Sequence, residues 1–101
     1  MIKGLSKDEL DIIFREVIEP LKSINASVWI FGSRARGDFK KYSDIDILYK
    51  EEENYPAPSG FIYDIELSLE ESKLPYKVEL VNVNNLAESY RNSVMRDRLL
   101  L

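Results

Sequence analysis

The sequence predicts a single small α/β (α+β) domain, a mixed sheet of three to four strands packed with helices. Three observations point there. The 101 residues, 45% hydrophobic and 32% charged, hold apolar material for one core and not two. Segments of helical periodicity alternate with short strand-like runs in the order helix, strand, short helix, strand, helix, strand, helix. No internal repeat, linker or low-complexity tract separates them, so residues 1–101 are expected to form one domain.

Ser6-Lys7-Asp8-Glu9 is a capping box, with the Ser6 hydroxyl meeting an early helix N–H and Glu9 reaching back to the backbone of Ser6. A helix starts there, and Leu10, Ile13, Phe14, Val17, Ile18 and Leu21 form its apolar stripe. Pro20 lies inside the pattern and predicts a kink or a loosened last turn. Ser27 to Phe31 is β-branched and aromatic and is stopped by Gly32-Ser33, which makes it a buried strand ending in a tight turn, with Trp29 in the core. Arg34 to Lys41 is a short helical turn and loop. Asp44 to Tyr49 alternates, so a second strand carries Asp44 and Asp46 on one face.

Lys50 to Ser59, with Glu51 to Glu53, Pro56 and Pro58, is a surface loop. Phe61, Ile62, Ile65 and Leu69 space a second long helix, with Ser59 as its cap and Pro75 as a late stop. Tyr76 to Val83 alternates and is the third strand. Leu86, Tyr90 and Val94 outline a final helix, basic through Arg91, Arg96 and Arg98, whose role the sequence does not assign. Leu99-Leu100-Leu101 is expected to pack against the domain or a partner.

Composition narrows the chemistry. The chain has no cysteine and no histidine, which removes disulfides, thiolate nucleophiles, imidazole bases and zinc fingers together. Any metal must be a hard cation held by carboxylates. Fourteen basic against eighteen acidic residues give a net charge of -4, the wrong sign for a protein that grips a phosphate backbone, so no direct sequence-specific nucleic-acid binding is expected. Neither a signal-peptide pattern nor a membrane-length apolar run is visible, and the expectation is a cytoplasmic protein without a membrane partner.

The informative segment is Phe31-Gly32-Ser33-Arg34-Ala35-Arg36-Gly37-Asp38 through Ser43-Asp44-Ile45-Asp46-Ile47, a Gly-Ser followed after ten residues by Asp-x-Asp. Two Asp at alternate strand positions stand roughly 7 Å apart at Cα and point the same way, so one or two divalent cations can bridge them. Gly32 lets the backbone approach a ligand, and the Ser33 N–H and hydroxyl offer a seat for phosphate oxygens. Arg34 and Arg36 can bind phosphates in fork geometry. The pieces describe a metal-bound triphosphate held against a sheet edge. The plainer alternative is a strand-turn-strand with solvated carboxylates, but the four fixed positions match by chance in only about one sequence of this length in a thousand. Arg36-Gly37-Asp38 also spells an adhesion tripeptide, which its place inside this motif discounts, and Lys40-Lys41-Tyr42 is a solvated loop.

With these residues quoted, the chain resembles the polymerase-β-type nucleotidyltransferases, and its length resembles their minimal form, the MNT proteins. The resemblance implies a nucleotidyltransferase-like fold and transfer of AMP from ATP to an acceptor hydroxyl with two Mg²⁺. Carried over residue by residue, Gly32 and Ser33 hold the triphosphate, and Asp44 and Asp46 are the paired metal ligands and catalytic carboxylates. Family members usually place a third carboxylate, most often Asp, on a later strand; Glu79 occupies that place here, as third metal ligand or general base. MNT proteins often pair with a HEPN ribonuclease toxin and add AMP to one of its tyrosines. The resemblance therefore implies an AMPylating antitoxin with a HEPN-type partner.

Two other functions fit the sequence less well. A non-catalytic antitoxin would neutralise its partner by association alone, and Glu79 in place of Asp keeps that reading open. Transfer to a small molecule such as an aminoglycoside generally uses additional domains.

Overall fold

The computed structural model describes residues 2–101. The capping box forms as the sequence predicts: the Ser6 hydroxyl accepts from the Glu9 amide and the Glu9 carboxylate from the Ser6 amide. From it runs α1 (Lys7–Ile13), a π-helical segment (Phe14–Ile18) and α2 (Glu19–Ser23) without a break in the chain's helical course. The widened turn ends with the Glu19 N–H bonding the Phe14 carbonyl, five residues back, directly before Pro20. A proline ring clashes with the carbonyl four residues earlier, and widening that turn makes room for it. The expected irregularity thus takes the form of a π-turn before Pro20, and the stripe stays in place: Ile13, Val17, Ile18 and Leu21 are all buried.

The remaining elements are β1 (Ser27–Phe31), α3 (Ser33–Arg36), β2 (Ile45–Lys50), α4 (Phe61–Glu71), β3 (Val78–Asn82), a 3₁₀ turn (Val83–Asn85), α5 (Glu88–Asp97) and β4 (Leu99–Leu100). The sheet order is β3-β2-β1-β4. β2 and β4 run antiparallel to β1, while β3 runs parallel to β2. Parallel neighbours need a crossover, and α4 supplies it. The result is a mixed four-stranded sheet with helices, as the sequence predicts.

Strand alternation divides the sheet into two chemically different faces. Val28 and Ile30 of β1, with Ile45, Ile47 and Tyr49 of β2, point into the core that Ile13, Val17, Ile18, Leu21 and Ile65 fill from the helices. Trp29, Phe31, Asp46, Leu48 and Glu79 alternate to the opposite face. The second face carries the site.

Several expectations change. Gly60, not Ser59, precedes α4, in a left-handed conformation without a side-chain cap. The third strand is shorter than Tyr76 to Val83, because Val83 already starts the 3₁₀ turn. The final helix begins at Glu88 instead of Leu86 and buries no residue; Tyr90, expected on its inner stripe, is exposed. Leu99 and Leu100 become a fourth strand on β1, and the Leu101 amide continues that pairing to the Val28 carbonyl at 2.9 Å. Trp29 is only half-buried, and the Arg98 guanidinium lies over its ring at 4.7 Å. Among the described residues no helix is long and apolar enough to cross a membrane.

Candidate active site

The site forms where β1 ends and β2 begins. Phe31, the last residue of β1, pairs with Asp46, and Asp46 pairs on its other side with Glu79 of the parallel β3. Asp44 lies two residues earlier, just before the strand, and is exposed. The pairing of β2 with β3 therefore brings Asp46 and Glu79 together on the open face, with Asp44 at the entry to β2.

Gly32 shows why the motif begins with glycine. Its φ of 74° and ψ of -157° belong to a region that is essentially glycine-only. A Cβ there would come within 2.5 Å of Asp46 Oδ2. The chain turns over the carboxylate at a distance only glycine permits, and α3 starts at once. The Ala35 and Arg36 amides both bond the Gly32 carbonyl at 3.1 Å, so the amides of Ser33 and Arg34 begin the turn without intrahelical acceptors. The single turn closes at Gly37, which is left-handed at φ 103°.

Asp46 is held away from its ordinary titration range. Burial raises its pKa above 3.8, and the neighbouring Glu79 and Asp44 carboxylates raise it further; Arg36 pulls the other way. A side-chain hydrogen bond with Glu79 raises it as well. Such crowding of like charge at a half-buried position is a mark of sites that wait for a cation.

The donor set fits a hard cation as a partial shell. Among the described residues no three acidic side chains stand close enough to cage a metal by themselves. Mg²⁺ is typically held by one or two carboxylates, with phosphate oxygens and water completing its octahedron. Asp44 and Asp46 offer that partial set beside the Gly32-Ser33 turn, with Glu79 against Asp46.

The two arginines of the motif part company. Arg36 is half-exposed, pairs with Asp38 at 3.3 Å and Asp97 of α5 at 3.8 Å, and acts electrostatically on Asp46. It lies at the rim of the carboxylate cluster. Arg34, expected beside it on the phosphates, is instead 1% exposed and directed inward. Its Nε donates to the Ser43 carbonyl at 3.0 Å, one Nη to the Lys3 carbonyl at 3.0 Å and the other to the Lys41 carbonyl at 3.5 Å. The guanidinium is spent on backbone oxygens, so the expectation of a phosphate contact is corrected. Sequence reasoning also missed Lys3, whose ammonium donates to the Ala35 carbonyl at 2.6 Å and ties the N-terminal segment to α3. No local signal marks it, because the contact spans 32 positions of sequence.

Comparison with known proteins agrees with this geometry. A family model described as "Nucleotidyltransferase domain" matches residues 10–101. A protein of Haemophilus influenzae named "Probable protein adenylyltransferase MntA" is 32% identical over 94 residues, which cover 91% of this chain and 77% of that protein. A solved structure described as a "putative minimal nucleotidyltransferase" superposes with a TM-score of 0.69 at 28% identity, covering 98% of this chain and 99% of its own. A toxin-antitoxin crystal structure with AMP-PNP is similar in fold, with a TM-score of 0.63 at 19% identity, covering 85% of this chain and 69% of that one.

Proposed function

The chain belongs to the nucleotidyltransferase domain family and is a nucleotidyltransferase, and from that premise we propose that it moves AMP from ATP to a protein hydroxyl, a tyrosine of a HEPN-type toxin, and so acts as an antitoxin. The observation that carries the proposal is the approach of the Gly32 turn to Asp46, with Glu79 on the same open face. The names of the relatives support the protein acceptor: the Haemophilus influenzae protein is called a protein adenylyltransferase, and the AMP-PNP structure is of a toxin-antitoxin.

In this reading the Ser33 amide and hydroxyl, with Arg36, hold the triphosphate beside the strand ends. Asp44 and Asp46 would hold Mg²⁺, which would supply charge neutralisation and orientation of the phosphates. The acceptor oxygen attacks that phosphorus, a new O–P bond forms, and the bond to the bridging oxygen breaks, so pyrophosphate leaves with its electron pair. Glu79 receives the hydroxyl proton. The rest of the work is positioning, and nothing in it requires histidine or cysteine.

The test is direct. The chain is incubated with Mg-ATP and its co-purified toxin partner, and the partner is weighed intact. One added AMP with the wild type, and none with an Asp44→Ala/Asp46→Ala variant, is the expected result. No adduct with either protein, with the double variant neutralising the toxin equally well in cells, would leave association alone as the mechanism.

A further inference from the structure

Among the described residues Arg34 is the only charged side chain in the buried set, and no carboxylate lies within ion-pair distance of it. Its charge is met by carbonyl dipoles and by two aromatic faces, Phe39 at 5.1 Å and Tyr76 at 4.5 Å. Burying a cation in this way is costly, so the geometry it enforces is of interest.

The partners come from three separate segments: the loop before Asp44 (Phe39, Lys41 and Ser43), the approach to β3 (Tyr76) and the N-terminal segment (Lys3). Arg34 itself follows Ser33 in the turn that seats the phosphates. Its Nε bonds the carbonyl of Ser43, which shares one planar peptide unit with the Asp44 amide. Fixing that plane places the Asp44 Cα, and the Ile45 N–H bond to the Lys77 carbonyl at 2.9 Å holds the peptide plane on its other side, so that the two together set how the Asp44 side chain leaves the backbone. Tyr76, stacked on the guanidinium, comes two residues before β3, the strand that carries Glu79. The bond to Lys3 adds the N-terminal segment. A planar fork with donors in fixed directions can serve all of these at once, whereas an ammonium cannot.

We infer that Arg34 is a positioning residue: it holds the Asp44 loop and the start of β3 at a set offset from the Gly32-Ser33 turn, so that metal ligands and phosphate seat are pre-organised before nucleotide arrives. The inference rests on the nucleotidyl-transfer reading above. It separates Arg34 from Arg36, which stands at the rim and touches neither the Ser43 carbonyl nor the Tyr76 ring in this arrangement.

The experiment compares the wild type, Arg34→Lys and Tyr76→Leu by calorimetric binding of AMP-PNP with Mg²⁺ and with EDTA. It also measures amide exchange across residues 39–45. The wild type binds more tightly with Mg²⁺. Arg34→Lys loses roughly tenfold of that gain, as expected for a group that orients metal ligands, and keeps its metal-free affinity within about twofold. Tyr76→Leu, outside the motif and away from phosphate, shows the same loss in smaller measure. The Lys40 and Ser43 amides, which hold the loop through the Ser43 hydroxyl and the Lys40 carbonyl, exchange about tenfold faster in Arg34→Lys, while amides in β1 and β2 are unchanged.

Equal loss of affinity with and without metal would make Arg34 a direct phosphate ligand and overturn the inference; so would an unchanged Mg²⁺ gain. If the wild type itself shows no Mg²⁺ gain, the nucleotidyl-transfer reading fails, and the exchange data still decide the pinning: uniform acceleration, or none, overturns it. Should Arg34→Lys not fold, Tyr76→Leu carries both measurements.

Discussion

The surroundings of Asp46 disfavour its charged form. Burial first, then Glu79 and Asp44, place its pKa above 3.8 in the folded protein. The native state therefore binds this proton more tightly than the unfolded chain. The stability tied to this group is complete below the ordinary carboxylate range and is lost as pH rises through the raised value. Asp46→Asn removes that loss: it should melt higher than the wild type at about pH 7, with the difference closing as the pH falls toward about 4. Melting curves at stepped pH check the sign, and the same variant should transfer AMP on the order of 10²-fold more slowly or worse. Gly32→Ala attacks the same contact from the backbone. Strain at its φ costs about 1–3 kcal/mol before the clash with Asp46 is counted, so the melting temperature should drop by several degrees and transfer should fail. The Gly-Ser and Asp-x-Asp pattern was legible because chemistry fixes residue type and spacing locally. Arg34 was misread because a guanidinium beside a phosphate motif looks the same in sequence whether it faces nucleotide or three distant carbonyls. Glu79 came only through a resemblance, since no spacing rule connects it to Asp46 before the parallel pairing of β2 and β3 is known.

Elements with strong internal signals match their sequence expectation closely. The capping box at Ser6 and Glu9 starts α1 where expected, and β1 runs from Ser27 to Phe31. Elements that depend on a neighbour do not announce themselves. Leu99 and Leu100 have too few residues to show a period, and they are a strand only because β1 has a free edge to pair with. That edge strand makes a prediction. Deleting residues 99–101 removes the pairing to Trp29 and Ile30, the Leu101 amide bond to Val28 and the packing of Leu101 on the core. The cost should be on the order of 2–4 kcal/mol, or roughly 10–20 °C in melting temperature. Exchange of the β1 amides should rise more than that of the β2–β3 ladder. α5 forms as its spacing predicts, but it starts at Glu88 and leaves Tyr90 exposed: with no fully buried residue, it is held also by Arg91 on the Val83 carbonyl, Asp97 on Arg36 and, just past its end, Arg98 on Trp29, which periodicity does not register.

Across the whole molecule the two faces of the sheet divide the labour. One face and its helices supply the cohesion, and the other presents carboxylates that repel one another until a ligand arrives. Ligand binding should therefore stabilise the entire domain by mass action. Mg-ATP at about a hundred times its Kd should add about 2.7 kcal/mol, seen as a rise of roughly 10–20 °C that EDTA cancels and that Asp44→Ala/Asp46→Ala lacks. Scanning fluorimetry with Mg-ATP, ATP plus EDTA and Mg²⁺ alone separates the contributions. The one indole of the chain adds an optical consequence. Trp29 sits on the site's face of β1, opposite Leu100 and under the Arg98 guanidinium. Its emission and its quenching by acrylamide therefore respond when the last strand leaves its seat. The protein carries its own gauge of fraying at that edge, readable without a label.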